Sequence, residues 1–180
     1  MGNKTRKLTL SALFSALTVV SLYLSSIWPT GQLGFAAVAS LFAAGAVIEA
    51  GIASGVSVFV VSSAIGFLIL PNRNALLLYV IFFGYYPIVK SLIERMRGNL
   101  ISWVLKLLVF NAALYAIWFF MRGLLTVIFG GSLGGELFGM RFSEDFVFIA
   151  GGNLAFLVFD FGLTKLIWFY IQRVSKHFSR

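Results

Sequence analysis

The chain has 180 residues, 60% of them hydrophobic and only 11% charged, and its mean hydropathy of +0.97 lies far above that of soluble domains. A membrane-spanning helix needs about 20 mostly apolar residues, so this length holds about six spans and leaves little chain for a soluble domain. The net charge of +8 comes from short basic clusters between apolar runs, which indicates membrane topology rather than nucleic-acid binding. Cysteine is absent from the sequence, which excludes disulfides, thiolate metal sites and a cysteine nucleophile.

The first predicted span follows a basic pair and carries small residues at a spacing of four. It begins within the stretch RKLTLSALFSALTVV, residues 6–20, and its apolar run covers 8–28. That run is long for a signal peptide and lacks a small-x-small cleavage site, so we expect a retained helix. Rows of small residues allow helices to approach closely in a membrane, either at a partner or against the small-residue-rich second and third spans. The members of these rows are Ser11, Ala12, Ser15 and Ala16.

Further apolar runs follow, separated by the turn-forming sequences WPTGQ (28–32), PNRN (71–74), ERMRGN (94–99) and GGSLGGELFGMRFSED (130–145). The boundary between the second and third runs is marked only by Glu49 and Gly51. We therefore predict an all-α integral membrane protein, a bundle of six transmembrane helices forming a single domain over 1–180. The predicted spans are 8–28, 33–50, 51–70, 75–94, 100–129 and 146–172.

An even number of spans places both termini on one side of the membrane, and the basic residues indicate which side. With the termini in the cytoplasm, most of the 14 lysines and arginines lie at the cytoplasmic end or in the inner half of the membrane. Arg73, Arg122 and Arg141 then lie outside or in the outer half, which is a positive-inside bias. We therefore predict a multi-pass protein of the plasma membrane with both termini cytoplasmic.

Polar side chains recur at helical spacing in three of the predicted spans. Ionisable groups inside a membrane are costly and usually face the bundle interior or a water-filled cavity, so they are the first functional candidates. In each span the spacing predicts one shared helix face. The three sets are Tyr79, Phe83, Tyr86, Lys90 and Glu94; Asn111, Tyr115, Trp118 and Arg122; and Asn153, Asp160 and Thr164.

The outer members of these sets have the character of a small-molecule pocket, in which flat apolar walls hold a ring and a few polar groups fix its orientation. The arginines suggest a ligand with a carboxylate or phosphate, although Arg122 alternatively reaches the outer headgroups. The predicted substrate-binding residues of this pocket are Tyr79, Tyr115, Trp118, Arg122 and Asn153, with Arg73, Glu136 and Arg141 as further candidates from the outer loops.

The inner members of the same sets predict an ion-pair network. Lys90, Lys106 and Lys165 lie in the inner half of the membrane, and Asp160 lies near the middle. Asp160 is therefore both a predicted substrate-binding residue and a candidate structural partner of Lys90 or Lys106.

The sequence contains no recognisable catalytic or nucleotide-binding motif. The segment GGSLGG at 130–135 lacks the Lys-Ser/Thr ending of a P-loop, and no P-loop occurs elsewhere in the chain. His177 is the sole histidine, so neither a histidine triad nor a histidine-rich metal site can form. We therefore predict no enzymatic activity, cofactor or metal. The outer connection over 130–145 is either a lid over the pocket or a plain linker.

A six-span chain of this length, with a short basic amino terminus and RKLTLSALFSAL containing Ala12 and Ala16, resembles the substrate-binding (S) component of an energy-coupling-factor (ECF) transporter. The resemblance implies that Ala12 and Ala16 dock onto a shared transmembrane coupling subunit, which is attached to two ATPase subunits. It also implies that the chain binds a vitamin or similar small nutrient from outside. The matching motif covers about a dozen residues, whereas size and topology agree over the whole chain.

Two other functions fit the same composition. A membrane scaffold for cell-envelope partners would use the small-residue rows equally well, and a small secondary carrier or channel is a further alternative. The outer polar and aromatic residues favour ligand binding over a scaffold, because a scaffold does not need polar groups turned inward.

Overall fold

The computed structural model describes residues 3–95, 99–128, 136–137, 140–141 and 144–172, with side chains over 4–28, 30–72, 74–95, 100–116 and 149–172. Apart from one two-residue ladder, the regular structure of these residues is helical. The α-helices are α1 (Asn3–Ile27), α2 (Gln32–Ala50), α3 (Ile52–Ile69), α4 (Arg73–Leu78), α5 (Tyr86–Ile93), α6 (Asn99–Ile128) and α7 (Glu144–Tyr170).

The helices have the length and composition of a multi-pass membrane protein, as the hydropathy predicts. Within the described residues, five segments are long and apolar enough to cross a membrane: Lys4–Ile27, Gln32–Ala50, Ile52–Ile69, Asn74–Ile93 and Ile149–Tyr170. In α6, which is 30 residues long, the apolar part with described side chains is the shorter Leu100–Ala116. The sixth span and the side on which the termini lie stay predictions.

Two short connections join the first three helices. A 3-10 turn, Pro29–Gly31, links α1 to α2, and its proline supplies the fixed φ that suits the first helical position. Between α2 and α3, Gly51 stands alone with φ 94° and ψ 174°, a region that is essentially restricted to glycine. Its N–H donates to the Val47 carbonyl at 3.0 Å. The break between α2 and α3 therefore lies where the sequence predicts the boundary between the second and third spans.

Small residues bring α1 and α2 close together. The buried face of α2 consists of alanine, serine and glycine, which is typical of helix contacts in lipid. The Ser21 hydroxyl of α1 donates to the Phe35 carbonyl at 2.8 Å, and the Ser25 hydroxyl donates to the Gln32 carbonyl at 2.9 Å. These bonds satisfy serine hydroxyls for which lipid offers no alternative partner.

The predicted fourth span is interrupted rather than continuous. A π-helical segment, Tyr79–Phe83, follows α4, and its extra residue per turn shows in the bond from the Gly84 N–H to the Tyr79 carbonyl at 2.7 Å. Pro87 explains the break, because proline has no N–H and its ring clashes with the carbonyl four residues earlier.

This interruption corrects the single stripe that spacing predicts for the fourth span. At the start of the π-helical segment, Tyr79 packs in a cluster with Leu22 and Leu76. After it, Tyr86 packs in a different cluster with Phe110 and Phe156. The two tyrosines therefore have separate surroundings.

The predicted outer connection contains a short antiparallel ladder. The strands are β1 (Glu136–Leu137) and β2 (Met140–Arg141), with Glu136 opposite Arg141. The side chains of this ladder lie outside those described, so its role as a lid stays a prediction.

Replacing Gly51 by alanine tests the backbone constraint between α2 and α3. A Cβ there would meet nothing within 4 Å. Any loss of stability therefore reflects the backbone conformation at φ 94° and not a steric clash. We expect Gly51→Ala to lower the free energy of unfolding by about 1–3 kcal/mol. Thermal unfolding in detergent, followed by circular dichroism, measures the effect.

Gly34→Ala is the matched control, because Gly34 lies within α2 and its added Cβ also meets nothing within 4 Å. Alanine is the better helix former, so this variant should be as stable as the parent or more so. Equal unfolding midpoints for both variants would contradict the constraint.

Candidate functional site

The small residues of α1 divide between two faces of that helix. Ser11 and Ser15 are buried, as are Thr18 and Ser21 further along. Ala12 and Ala16 are exposed. The two small-residue rows predicted for this helix therefore face opposite environments. The serine row, Ser11 and Ser15, packs inside the protein, and the alanine row, Ala12 and Ala16, forms part of its outer surface.

A buried group of charged side chains joins α5, α6 and α7. Lys90 of α5 and Asp160 of α7 form an ion pair at its centre, with side chains only 2% and 4% exposed. The Lys90 ammonium also donates to the Thr164 hydroxyl at 2.8 Å, and the Tyr86 hydroxyl donates to Asp160 Oδ1 at 2.6 Å. We refer to the following residues as the ion cluster: Tyr86, Lys90, Glu94, Lys106, Asp160 and Thr164.

Lys106 of α6 completes the ion cluster. Its ammonium lies 2.6 Å from Glu94 Oε1 and 3.6 Å from Asp160 Oδ2, and Glu94 Oε1 is also 3.1 Å from the Lys90 ammonium. The two ammonium and two carboxylate charges balance. Glu94 is 45% exposed, so the ion cluster reaches the surface at this edge.

Aromatic rings enclose the other side of the ion cluster. The Tyr86 ring lies 4.9 Å from that of Phe82 and 5.6 Å from that of Phe156, measured between ring centroids. Phe110 and Phe156 stack at 4.3 Å. These rings keep the Lys90–Asp160 pair in apolar surroundings. If one partner were removed, the unpaired charge left there would strongly destabilise the fold.

The predicted inner ion-pair network is thus present in the structure, with one correction. Lys165 is exposed, and its ammonium lies 5.4 Å from the centroid of the Phe161 ring instead of in the ion cluster. Asp160 is paired with Lys90 and Lys106, which is the structural alternative drawn from the sequence. A ligand could contact Asp160 only by displacing these partners, so its role in substrate binding stays a prediction.

Two amides form a second polar link between α6 and α7. Asn111 Nδ2 donates to Asn153 Oδ1 at 3.1 Å, and Asn153 Nδ2 donates to Asn111 Oδ1 at 3.0 Å. Each amide also donates to the carbonyl four residues earlier in its own helix, which satisfies the remaining N–H. Asn111 is exposed, so this reciprocal pairing allows an amide to lie at the lipid-facing surface.

The predicted substrate residues are not brought together within the described part of the chain. Tyr79 is fully buried, with its hydroxyl 3.0 Å from the Ser62 hydroxyl. Tyr115 is 72% exposed, and Asn153 is engaged with Asn111. The remaining candidates have side chains outside those described: Arg73, Trp118, Arg122, Glu136 and Arg141.

A cleft between α2 and α7 did not emerge from the sequence. It has a volume of about 190 Å³ and an apolar lining that includes Leu41, Ile48 and Leu166. Glu49 follows Ile48 and is the only acidic residue before Glu94. An isolated acidic residue in an apolar run is the feature of the sequence that could have indicated a site here. Only the folded chain shows that α7 lies beside Glu49.

Among the described residues, no group of three or more histidines, cysteines or acidic residues could hold a metal ion. No protein-family model, curated protein or solved structure matches this chain. Its function therefore has to be inferred from its own residues and their geometry.

Asp160→Asn tests the ion cluster, because it removes one charge and leaves two buried ammonium groups facing Glu94. We expect a loss of about 3–5 kcal/mol in the free energy of unfolding, the range for breaking a buried pair. Denaturant titration in detergent micelles measures it. Glu94→Gln, at the exposed edge, should cost clearly less, and the reverse order would contradict the central role of Asp160.

A double-mutant cycle with Asn111→Leu and Asn153→Leu tests the amide pair. Hydrogen bonds between helices in membranes contribute about 0.6 kcal/mol on average and up to about 1.7 kcal/mol. We expect a coupling energy in this range from unfolding midpoints of the parent, both single variants and the double variant. Strict additivity of the two single effects would show that the amides do not stabilise one another.

Proposed function

We propose that this chain is the substrate-binding membrane subunit of an ECF-type importer. It captures a vitamin or similar small nutrient from outside and delivers it through a shared transmembrane subunit that carries two ATPase subunits. The observation that carries the proposal is the outward position of Ala12 and Ala16 on α1.

Outward alanines at this spacing favour docking over internal packing. The sequence left both uses open, since α2 and α3 also contain many small residues. In the fold, Ser11 and Ser15 take the inward positions, so Ala12 and Ala16 leave a smooth surface on the outside of α1. Small side chains let a second helix approach closely and gain van der Waals contact, which drives helix association in lipid.

The absence of a P-loop supports a partner of this kind. A chain without its own nucleotide-binding motif needs an external ATPase if it takes part in ATP-driven uptake. In the proposed topology, six spans place both termini in the cytoplasm, and Ala12 and Ala16 lie in the cytoplasmic half of α1. A cytoplasmic ATPase module would act from this side.

The proposed ligand site lies in the outer half of α6 and α7. Of the predicted substrate-binding residues it keeps Trp118, Arg122 and Asn153, together with the outer connection over 130–145. We assign Asp160 to the ion cluster that joins α5, α6 and α7, since Lys90 and Lys106 already pair with it.

Purification from the native membrane in a mild detergent tests the proposal directly. Native mass spectrometry of the purified protein should detect a bound small molecule and copurifying ATPase subunits. A ligand-free protein that associates only with cell-envelope synthesis proteins would favour the scaffold instead. A ligand-free protein that transports alone in liposomes would favour a secondary carrier.

Ala12→Trp and Ala16→Trp test the docking surface. Each should abolish copurification of the coupling subunit, because an indole prevents close helix approach, while leaving the unfolding temperature and ligand retention near those of the parent. Leu13→Trp is the matched control, because Leu13 is also exposed on α1 but lies off the alanine row. If the alanine variants lose fold and ligand together, the row packs internally and the docking role is wrong.

A further inference from the structure

The ends of three helices meet around one buried carboxylate. Glu49 is the second-last residue of α2, Tyr170 is the last residue of α7 and Arg6 lies near the start of α1. Helix ends in a membrane protein lie near the headgroup level, where tyrosine and arginine are also favoured. We therefore expect the Glu49 carboxylate to lie at the depth of lipid headgroups.

The Glu49 carboxylate is buried and incompletely paired. Its side chain is only 6% exposed, and Oε1 has no hydrogen-bond partner among the described residues. Oε2 lies 4.0 Å from the Arg6 guanidinium, a long and weak contact, and the Tyr170 hydroxyl interacts with the same carboxylate. A buried carboxylate oxygen is costly unless a donor reaches it.

The apolar cleft between α2 and α7 begins beside this carboxylate. Ile48, which precedes Glu49 in α2, and Tyr170, which interacts with its carboxylate, both line the cleft. Glu49 itself does not line it, and the other lining residues are apolar residues of the two helices. The cleft is open on one side. In a bilayer an open apolar cleft is filled by an acyl chain, because hydrocarbon is the surrounding solvent.

We propose that this cleft binds one phospholipid whose headgroup carries a primary ammonium, with an acyl chain along the cleft and the ammonium on Glu49. The ammonium has three N–H donors, and Oε1 has no other donor in the described structure. Arg6 places positive charge beside the site, where the phosphate of the same headgroup lies. A quaternary ammonium lacks N–H donors, and an uncharged glycerol headgroup lacks the positive charge. The site is independent of the proposed transport function.

Native mass spectrometry of the full chain released from nanodiscs tests the lipid site. The nanodiscs contain equal amounts of phosphatidylethanolamine, phosphatidylcholine and phosphatidylglycerol with the same acyl chains. We expect retention of one phosphatidylethanolamine with about tenfold preference over phosphatidylcholine, the scale of one charge-assisted hydrogen bond. Equal retention of these two lipids by the parent protein would overturn the proposal.

Two variants separate the headgroup contact from the cleft. Glu49→Gln should reduce the preference to below about twofold while lipid is still retained, since glutamine keeps the shape and removes the charge. Ile48→Trp should fill the cleft and reduce retention of all three lipids. An unchanged preference in Glu49→Gln would overturn the proposal.

Glu144→Gln is the matched control. Glu144 begins α7, at the end opposite Tyr170, so the preference for phosphatidylethanolamine should be the same as in the parent. A chain ending at residue 172 tests the carboxyl-terminal segment as the occupant instead. If the parent shows no preference for phosphatidylethanolamine and the shortened chain gains one, the basic carboxyl-terminal segment pairs with Glu49 in the full chain. The proposal that a lipid binds there in the full chain would then be wrong.

Discussion

The arrangement of α5, α6 and α7 depends on the pairing of Lys90 with Asp160. Lipid offers no water to solvate a charge, so each buried ionic group must find its partners within the protein. Lys90 has Asp160, Thr164 and Glu94, and Asp160 also accepts from Tyr86 and faces Lys106. These contacts hold three helices in one relative position. The interruption before Pro87 allows Tyr86 and Lys90 to face α6 and α7, while Tyr79 packs in a separate cluster with Leu22 and Leu76.

The first three helices are held together by a different kind of contact. Alanine, glycine and serine on α1 and α2 allow the backbones to approach closely, and serine hydroxyls bond to carbonyls of the neighbouring helix. Because Ser11 and Ser15 occupy the inward face of α1, Ala12 and Ala16 lie on its outer surface. The proposed docking surface thus follows from how α1 packs on α2. The proposed lipid cleft lies instead where α2 meets α7, beside the aromatic cluster, since Ala44 belongs to that cluster and Leu41 and Ile167 pack against it.

Part of the candidate site could be predicted from residue types and spacing. The charges of Lys90, Lys106 and Asp160 in apolar runs predict an ion-pair network, because such charges are rarely left unpaired. The pocket residues could not be predicted equally well, because spacing assumes a regular helix. A π-helical segment breaks that assumption between Tyr79 and Tyr86, and Tyr115 lies on the surface, where an aromatic ring is as compatible with lipid as with a ligand.

The sequence by itself determined the membrane class, the helical class and most helix boundaries, because hydropathy, proline and glycine act locally along the chain. Gly51 is an example, since Glu49 and Gly51 mark the boundary between the second and third runs in the sequence, and α2 and α3 are separated at Gly51. Only the tertiary structure decided which small residues of α1 face inward, which carboxylate pairs with which lysine, and that α7 lies beside Glu49. Those outcomes depend on contacts between residues far apart in the chain, and the spacing within a single helix does not specify its neighbour.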